Sequence, residues 1–180
     1  EVISQRTVYS GFLELVVTEL RYRLFSGAWG PVVQRDCVKR PVAVGVLLYD
    51  PKREEVVLVE QFRMGALEDP DSPWLFEIVA GLVEEGEDYA DVARRETQEE
   101  SNCVIKTLLP IMHYYTSPGS STEYTHLYCG LVDSEGVAGI YGLPEEAEDI
   151  KLHVVSSQRA FDMIRTGEFK NVNAIVALQW

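Results

Sequence analysis

An α+β fold, a mixed sheet with helices on both faces, is predicted by three observations on the sequence. Two β-branched runs, "VAVGVLLYD" (42–50) and "EVVLVEQFR" (55–63), flank a short charged turn and read as a buried hairpin. "YADVARRETQEESN" (89–102) places Tyr89, Val92 and Ala93 on one helical face with polar residues opposite. Helical patterns return over 157–165 and 171–180, after the last strand signal. A chain of 180 residues, 46% hydrophobic and 25% charged, is long enough for a proper core and ordinary for a globular domain.

In chain order, residues 12–25 mix alternation with β-branched residues and predict one long strand or hairpin arm. "SGAWGP" (26–31) is a turn, and "VVQRDCV" (32–38) returns as a second strand. These strands hold too little apolar surface to enclose a core, so residues 1–40 form an N-terminal antiparallel unit that packs on another body. Residues 41–180 form the main domain. After the hairpin of 42–63, "WLFEIVAG" (74–81) is a strand that ends at Gly81, and "LVEEGED" is a loop closed by Asp88 as helix N-cap. Strands are expected near 103–115, 123–132 and 150–155. Ser157 then caps a helix stopped by Gly167, and a last helix starts near Asn171.

Charge and cysteine usage exclude several classes of partner. A formal charge of −13 opposes binding to a nucleic-acid backbone or an anionic membrane surface. No apolar run approaches the ~20 residues of a membrane-spanning helix, and the first residues show no apolar signal region. Cys37, Cys103 and Cys129 lack metal-type spacing and read as free thiols of a reducing, cytoplasmic compartment. His113, His126 and His153 are scattered over strand patterns and read as packing or surface residues.

The informative chemistry lies on the helix of 89–102. Glu96, Glu99 and Glu100 fall at i, i+3 and i+4, so their carboxylates point to one side and repel one another. Arg95 can pair with Glu99 one turn on, and Arg94 partly screens the others. Glu84, Glu85, Glu87 and Asp88 crowd further negative charge before the helix. A solvated acidic face is the simplest reading of such a helix, but this density suits a hard divalent cation. Mg²⁺ takes one or two carboxylates and completes its shell with water and phosphate oxygens. Zn²⁺ would want His or Cys, and residues 84–100 contain neither. Arg63, closing its strand, suits a phosphate clamp as well as a surface position.

The segment from Gly81 to Cys103 resembles the Nudix hydrolase signature. That signature reads Gly, five residues, Glu, seven residues, Arg-Glu, an apolar position, one residue, Glu-Glu, one residue, Gly and an apolar position. Gly81, Glu87, Arg95, Glu96, Glu99 and Glu100 fall in register with it. Asn102 stands where the signature has Gly, and Thr97 is a weak apolar residue. Asn tolerates the left-handed conformation required there. "VEQFR", "PWLFEIVAG", "SPGSSTE", "EEAEDI" and "NVNAIVALQW" extend the resemblance over nearly the whole chain, toward the ADP-ribose pyrophosphatase branch. Pro118, fifteen residues past Cys103, matches the position that marks ADP-ribose hydrolases in this family.

The resemblance implies an α/β/α sandwich with a mixed sheet, and N-terminal strands exchanged between the subunits of a homodimer. It also implies hydrolysis of ADP-ribose to AMP and ribose 5-phosphate with Mg²⁺ or Mn²⁺. By the same resemblance Glu96 and Glu100 are the principal metal ligands, with Glu99 direct or water-mediated and the Ala80 carbonyl completing one shell. Gly81 permits the bend that exposes this carbonyl, and Arg95 orients the glutamates. Glu148 reaches the metal site and Glu146 is the general base, with Glu145 one position away. Glu123 binds ribose hydroxyls, while Phe12 and Arg35 sandwich the adenine. Two other functions stay open: hydrolysis of a different nucleoside diphosphate sugar such as a GDP-sugar, and non-catalytic nucleotide sensing. Retention of Glu96, Glu99 and Glu100 weighs against the second.

Overall fold

Three antiparallel strands open the chain: β1 (Val2–Ser10), β2 (Glu14–Leu20) and β3 (Val33–Lys39), in the order β1-β2-β3. The computed structural model of the protein describes residues 1–143 and 147–180. The chain divides into two compact units, residues 1–42 with 114–124 and residues 43–113 with 125–180. In the first unit the strand expected over 12–25 is shorter than its pattern, because β2 stops at Leu20. Arg23 and Trp29 form an isolated bridge about the turn, and the Arg23 guanidinium lies 4.2 Å from the Trp29 ring centroid. Strand β1 has no counterpart among the predicted elements, although Val2, Ile3, Thr7, Val8 and Tyr9 favour strand; it is exposed along its length. It exists because β2 offers it a partner from Val2↔Leu20 to Ser10↔Glu14. Segment 114–124 joins this unit through the Val38–Ser121 bridge and the Val38 N–H, which donates to the Ser120 carbonyl at 2.8 Å.

The larger sheet contains β4 (Val42–Asp50), β5 (Glu55–Phe62), β6 (Trp74–Glu77), β7 (Val79–Leu82), β8 (Thr107–Tyr115), β9 (Tyr124–Leu131), β10 (Ile140–Tyr141) and β11 (Ile150–Ser156). Its order is β10-β11-β5-β4-β9-β8, with β6 paired to β5 and β7 to β4. Helices α1 (Tyr89–Ser101), α2 (Ser157–Thr166) and α3 (Val172–Gln179) cover it. Alternation along the central strands sends Val44, Val46, Leu48, Val57 and Val59 to one face, where they pack with Val92 and Ala93 of α1. Leu47, Val56, Leu58 and Ile78 are buried toward the other face, where α2 lies against β5 and β11 and α3 against β6. Each such fully buried side chain stabilises the fold by about 1.5–3 kcal/mol relative to exposure. The predicted α/β/α sandwich is thus the observed architecture.

The helix boundaries follow capping chemistry. Asp88 caps α1 as expected, accepting from the Ala90 N–H at 2.8 Å and the Asp91 N–H at 3.3 Å. Ser156, not Ser157, caps α2 through the Arg159 N–H at 3.2 Å, and Gly167 ends that helix at φ +77°. Asn171 caps α3. Among the described residues no helix is long and apolar enough to cross a membrane.

Candidate active site

A fork in the sheet builds the site. Strands β4 and β5 pair only from Leu48↔Val57 to Asp50↔Glu55, and then part. Residues 74–82 fill the gap, pairing first with β5, from Phe62↔Trp74 to Val59↔Glu77, and then with β4, from Val46↔Val79 to Ala43↔Leu82. The single strand predicted over 74–81 is therefore two, divided at Ile78, because the segment changes partners there. Glu77 reaches the α1 face of the fork with 2% of its surface exposed. Arg63, just past β5, meets it with two donors, Nε to Oε1 at 2.9 Å and a terminal nitrogen to Oε2 at 2.7 Å. Burial alone would lower the Arg63 pKa. The Glu77 hydrogen bonds and the charges of Glu77, Glu100 and Glu148 reverse that and raise it.

Across the fork, α1 turns its acidic stripe inward. Val92, Ala93, Thr97, Glu100 and Ser101 form its buried face, so Glu100 is 3% exposed rather than solvated. Its Oε2 accepts from the Ala80 N–H of β7 at 3.3 Å. Burial, then the Glu96 carboxylate, push the Glu100 carboxyl well above the usual range, and the Ala80 N–H and Arg63 oppose this only in part. Burial likewise lifts Glu96 to about 7 against the pull of Arg95, with Glu99 and Glu148 adding to the rise. Arg95 donates to Glu96 at 2.8 Å and to Glu99 at 3.1 Å, while its other terminal nitrogen lies 3.5 Å from Glu87. Glu87 in turn accepts from the Glu84 N–H at 2.8 Å, which fastens the preceding loop to the helix.

Several expectations change in detail. Arg94 does not screen the glutamates; it donates to the Ile105 carbonyl at 3.0 Å and ties α1 to the chain after it. Gly81 is no strand end, since β7 continues to Leu82. Its lack of a side chain serves a close approach: a Cβ there would fall on the Glu96 carboxylate. Asn102 takes the left-handed conformation at φ 53° and ψ 17°, so the helix ends as a glycine would end it. His113 and His126 are not scattered, their rings lying 5.5 Å apart with Tyr89 stacked on His126 at 3.9 Å.

Glu148 belongs to the same cluster, because its charge acts on Glu96, Glu100 and Arg63; its Oε2 accepts from the Leu143 N–H at 3.1 Å. Glu146 and its neighbour Glu145 lie outside the described residues. Four expected substrate contacts belong to the first unit. Phe12 is 87% exposed, and the cation over its ring is Arg40, at 5.6 Å. Arg35 donates to the Gln34 carbonyl at 2.8 Å. Glu123 is 4.0 Å from Arg40, and Pro118 lies in an exposed turn. Glu77 and Glu87 are the site residues that sequence reasoning gave no role. A lone carboxylate inside the apolar run "WLFEIVAG" is the signal that singles out Glu77.

The donors suit a hard divalent cation, being all oxygen. Glu96 and Glu100 are half-buried and buried carboxylates whose negative charge the protein neutralises only partly, and the glycine at 81 lets the Glu96 carboxylate pack against the β7 backbone. Among the described residues no three His, Cys, Asp or Glu side chains are grouped to hold an ion by themselves. A hard divalent cation can take two carboxylates and fill its shell with water and substrate oxygens.

Comparison with known proteins bears on the family and the fold. A family model described as "NUDIX domain" matches residues 39–172. The chain is 42% identical over 180 residues to the ADP-ribose pyrophosphatase of Escherichia coli (strain K12), covering 100% of this chain and 86% of the relative. It is 42% identical over 183 residues to the ADP-ribose pyrophosphatase of Haemophilus influenzae, covering 100% and 84%. The GDP-mannose pyrophosphatase of Shigella flexneri is 29% identical over 148 residues, 82% of this chain and 76% of that one. Among solved structures, an ADP compounds hydrolase superposes with a TM-score of 0.74 at 17% identity, covering 99% of this chain and 90% of its own, a likeness of fold.

Proposed function

The chain belongs to the Nudix family, and from that membership we propose that it hydrolyses the diphosphate bond of ADP-ribose to AMP and ribose 5-phosphate. The observation that carries this reading is 42% identity along the whole chain to ADP-ribose pyrophosphatases, together with the convergence of Glu96, Glu100 and Glu148 opposite Arg63. Glu96 and Glu100, with the Ala80 carbonyl and Glu99, would hold Mg²⁺ or Mn²⁺. When bound, that ion supplies charge neutralisation of the diphosphate and lowers the pKa of a coordinated water.

The chain's own residues do the rest. Arg95 fixes the rotamers of Glu96 and Glu99 by direct hydrogen bonds. Arg63, locked in orientation by Glu77, keeps donors beyond the two that Glu77 engages, and these clamp phosphate. Glu146 removes a proton from the attacking water, and Glu148 reaches the metal site as a further ligand. Phe12, Arg35, Glu123 and Pro118 recognise the adenosine and ribose parts of the substrate, Phe12 and Arg35 from the N-terminal strands of a second subunit. Residues 1–40 thus serve dimerisation and adenine recognition, and residues 41–180 the chemistry. The three unpaired thiols favour a cytoplasmic setting.

The test is phosphomonoester release in Mg²⁺ from ADP-ribose, GDP-mannose, NADH and diadenosine polyphosphates, by wild type and Glu100→Gln. ADP-ribose should be the preferred substrate, and Glu100→Gln should lower kcat by about 10²-fold or more while remaining folded, in line with loss of a preorganised electrostatic group. Preference for GDP-mannose would transfer the reading to a nucleotide-sugar substrate. No turnover of any substrate would overturn it.

A further inference from the structure

Among the described residues, two buried side-chain atoms have no hydrogen-bond partner, Gln61 Nε2 and Thr125 Oγ1. Thr125 is 0% exposed on β9 and its methyl group lies near the Gly45 position, in apolar company with Leu127 and Ile78. Gln61 is different in its setting. It follows Val57 and Val59 on β5 and precedes Arg63, and alternation puts all four on the α1 face of the sheet. Its cross-strand partner is Leu75, and Glu77 is the next residue of β6 on that face, a diagonal neighbour. The Gln61 side chain therefore shares the sheet face of Arg63 and Glu77, next to both in the register, and the residue is 6% exposed. A buried amide donor left unpaired costs about 1–3 kcal/mol, a cost that a ligand oxygen would remove. Its neighbour Glu77 is a carboxylate already engaged by Arg63, so a neutral donor here can complement an anionic oxygen where a second arginine would be drawn to that carboxylate.

We propose that Gln61 contacts the substrate directly: its side-chain amide, closed to solvent in the free protein, turns to donate to a non-bridging oxygen of the diphosphate beside Arg63. This rests on the diphosphate-hydrolase reading above and adds a residue to it.

Steady-state kinetics and thermal unfolding of wild type, Gln61→Met and Gln61→Glu test the assignment. Gln61→Met keeps the length and volume and removes the donor. It should lower kcat/KM for ADP-ribose about ten- to hundredfold, as expected for a hydrogen bond to a charged group, with Tm unchanged or raised. Gln61→Glu should lose more, since a carboxylate would face the phosphate. In the wild type, the Gln61 side-chain amide resonances should shift on saturation with ADP-ribose in EDTA, a readout that needs no variant to fold. Wild-type kcat/KM in both variants overturns the inference, as does a loss in Gln61→Met that merely tracks a lowered Tm, or an unshifted amide at saturation. If the wild type ignores ADP-ribose but cleaves another diphosphate, the substrate assignment fails alone, and Gln61 is scored on that substrate. If the wild type cleaves ADP-ribose and Gln61→Met is unimpaired, the role of Gln61 fails alone.

Discussion

Gly81 and Glu96 show how tightly single residues are coupled in this site. The atoms a Gly81 Cβ would strike are the Glu96 carboxylate and Cγ, the mobile end of a side chain rather than backbone. Gly81→Ala is therefore expected to fold, with a stability change within about 1 kcal/mol, because Glu96 can swing away. Swinging away removes a proposed metal ligand and breaks its 2.8 Å bond to Arg95. A displacement of about 1 Å at such a site costs on the order of 10² in rate, so kcat should fall by about that factor and apparent Mg²⁺ affinity should weaken. Wild-type kinetics in Gly81→Ala would refute this coupling. The inward stripe of Glu96, Glu99 and Glu100 was legible in the sequence, because helical spacing fixes which side chains share a side. The Arg63–Glu77 pair was not, since fourteen residues and a change of strand partner separate its members.

At the scale of elements, capping and apolar periodicity located the helices, and β-branching located β4 and β5. The split between β6 and β7 was illegible, since "WLFEIVAG" reads as one strand and only the parting of β4 from β5 divides it. Strand β1 was legible in Val2, Ile3, Thr7, Val8 and Tyr9 but has no clean alternation, and its pairing with β2 fixes it. The turn after β4 carries a pH-dependent contribution to stability. Asp50 is 1% exposed and accepts from the Ser134 N–H at 2.9 Å, the Ser134 hydroxyl at 3.0 Å and the Lys52 N–H at 2.8 Å. The Ser134 N–H, foremost, holds its carboxyl well below the ordinary range, outweighing burial. The folded pKa is depressed, so this stabilisation is present above the unfolded value of about 3.9 and is lost as pH falls through that value toward the folded one. Asp50→Asn should lower Tm at pH 7 and flatten the Tm decline between pH 5 and 3. An equally steep acid limb in the variant would show that other carboxylates, such as Asp69 and Asp133, carry it.

On the scale of the whole molecule, the first unit is the part whose surface is least accounted for by its own fold. Three strands need a buried hydrophobic face to be stable alone, and here Val2, Ile3, Val8 and Tyr9 of β1, with Phe12 and Phe25, are exposed. Contiguous exposed apolar surface is a feature of interaction sites, and a second copy of the chain is the partner proposed for these residues. Net charge sharpens the expectation. Each protomer carries −13, so two copies repel, and apolar burial must overcome that repulsion for a dimer to form. Added salt screens the repulsion and leaves apolar burial intact, so the dimer should tighten between about 20 and 300 mM salt; an interface held by ion pairs would loosen. Sedimentation equilibrium should give twice the 20.3 kDa protomer mass at micromolar concentration, and the paired change Val8→Lys, Tyr9→Lys should shift it to the protomer mass. The same variant separates structure from function. If Phe12 and Arg35 serve a partner's adenine subsite, dissociation should raise KM for ADP-ribose while the Glu100-dependent chemistry in the second unit persists at saturating substrate. A wild type that sediments as a protomer at every salt concentration would refute the dimer, and a dissociated variant with unchanged KM would confine the adenine contacts to one chain.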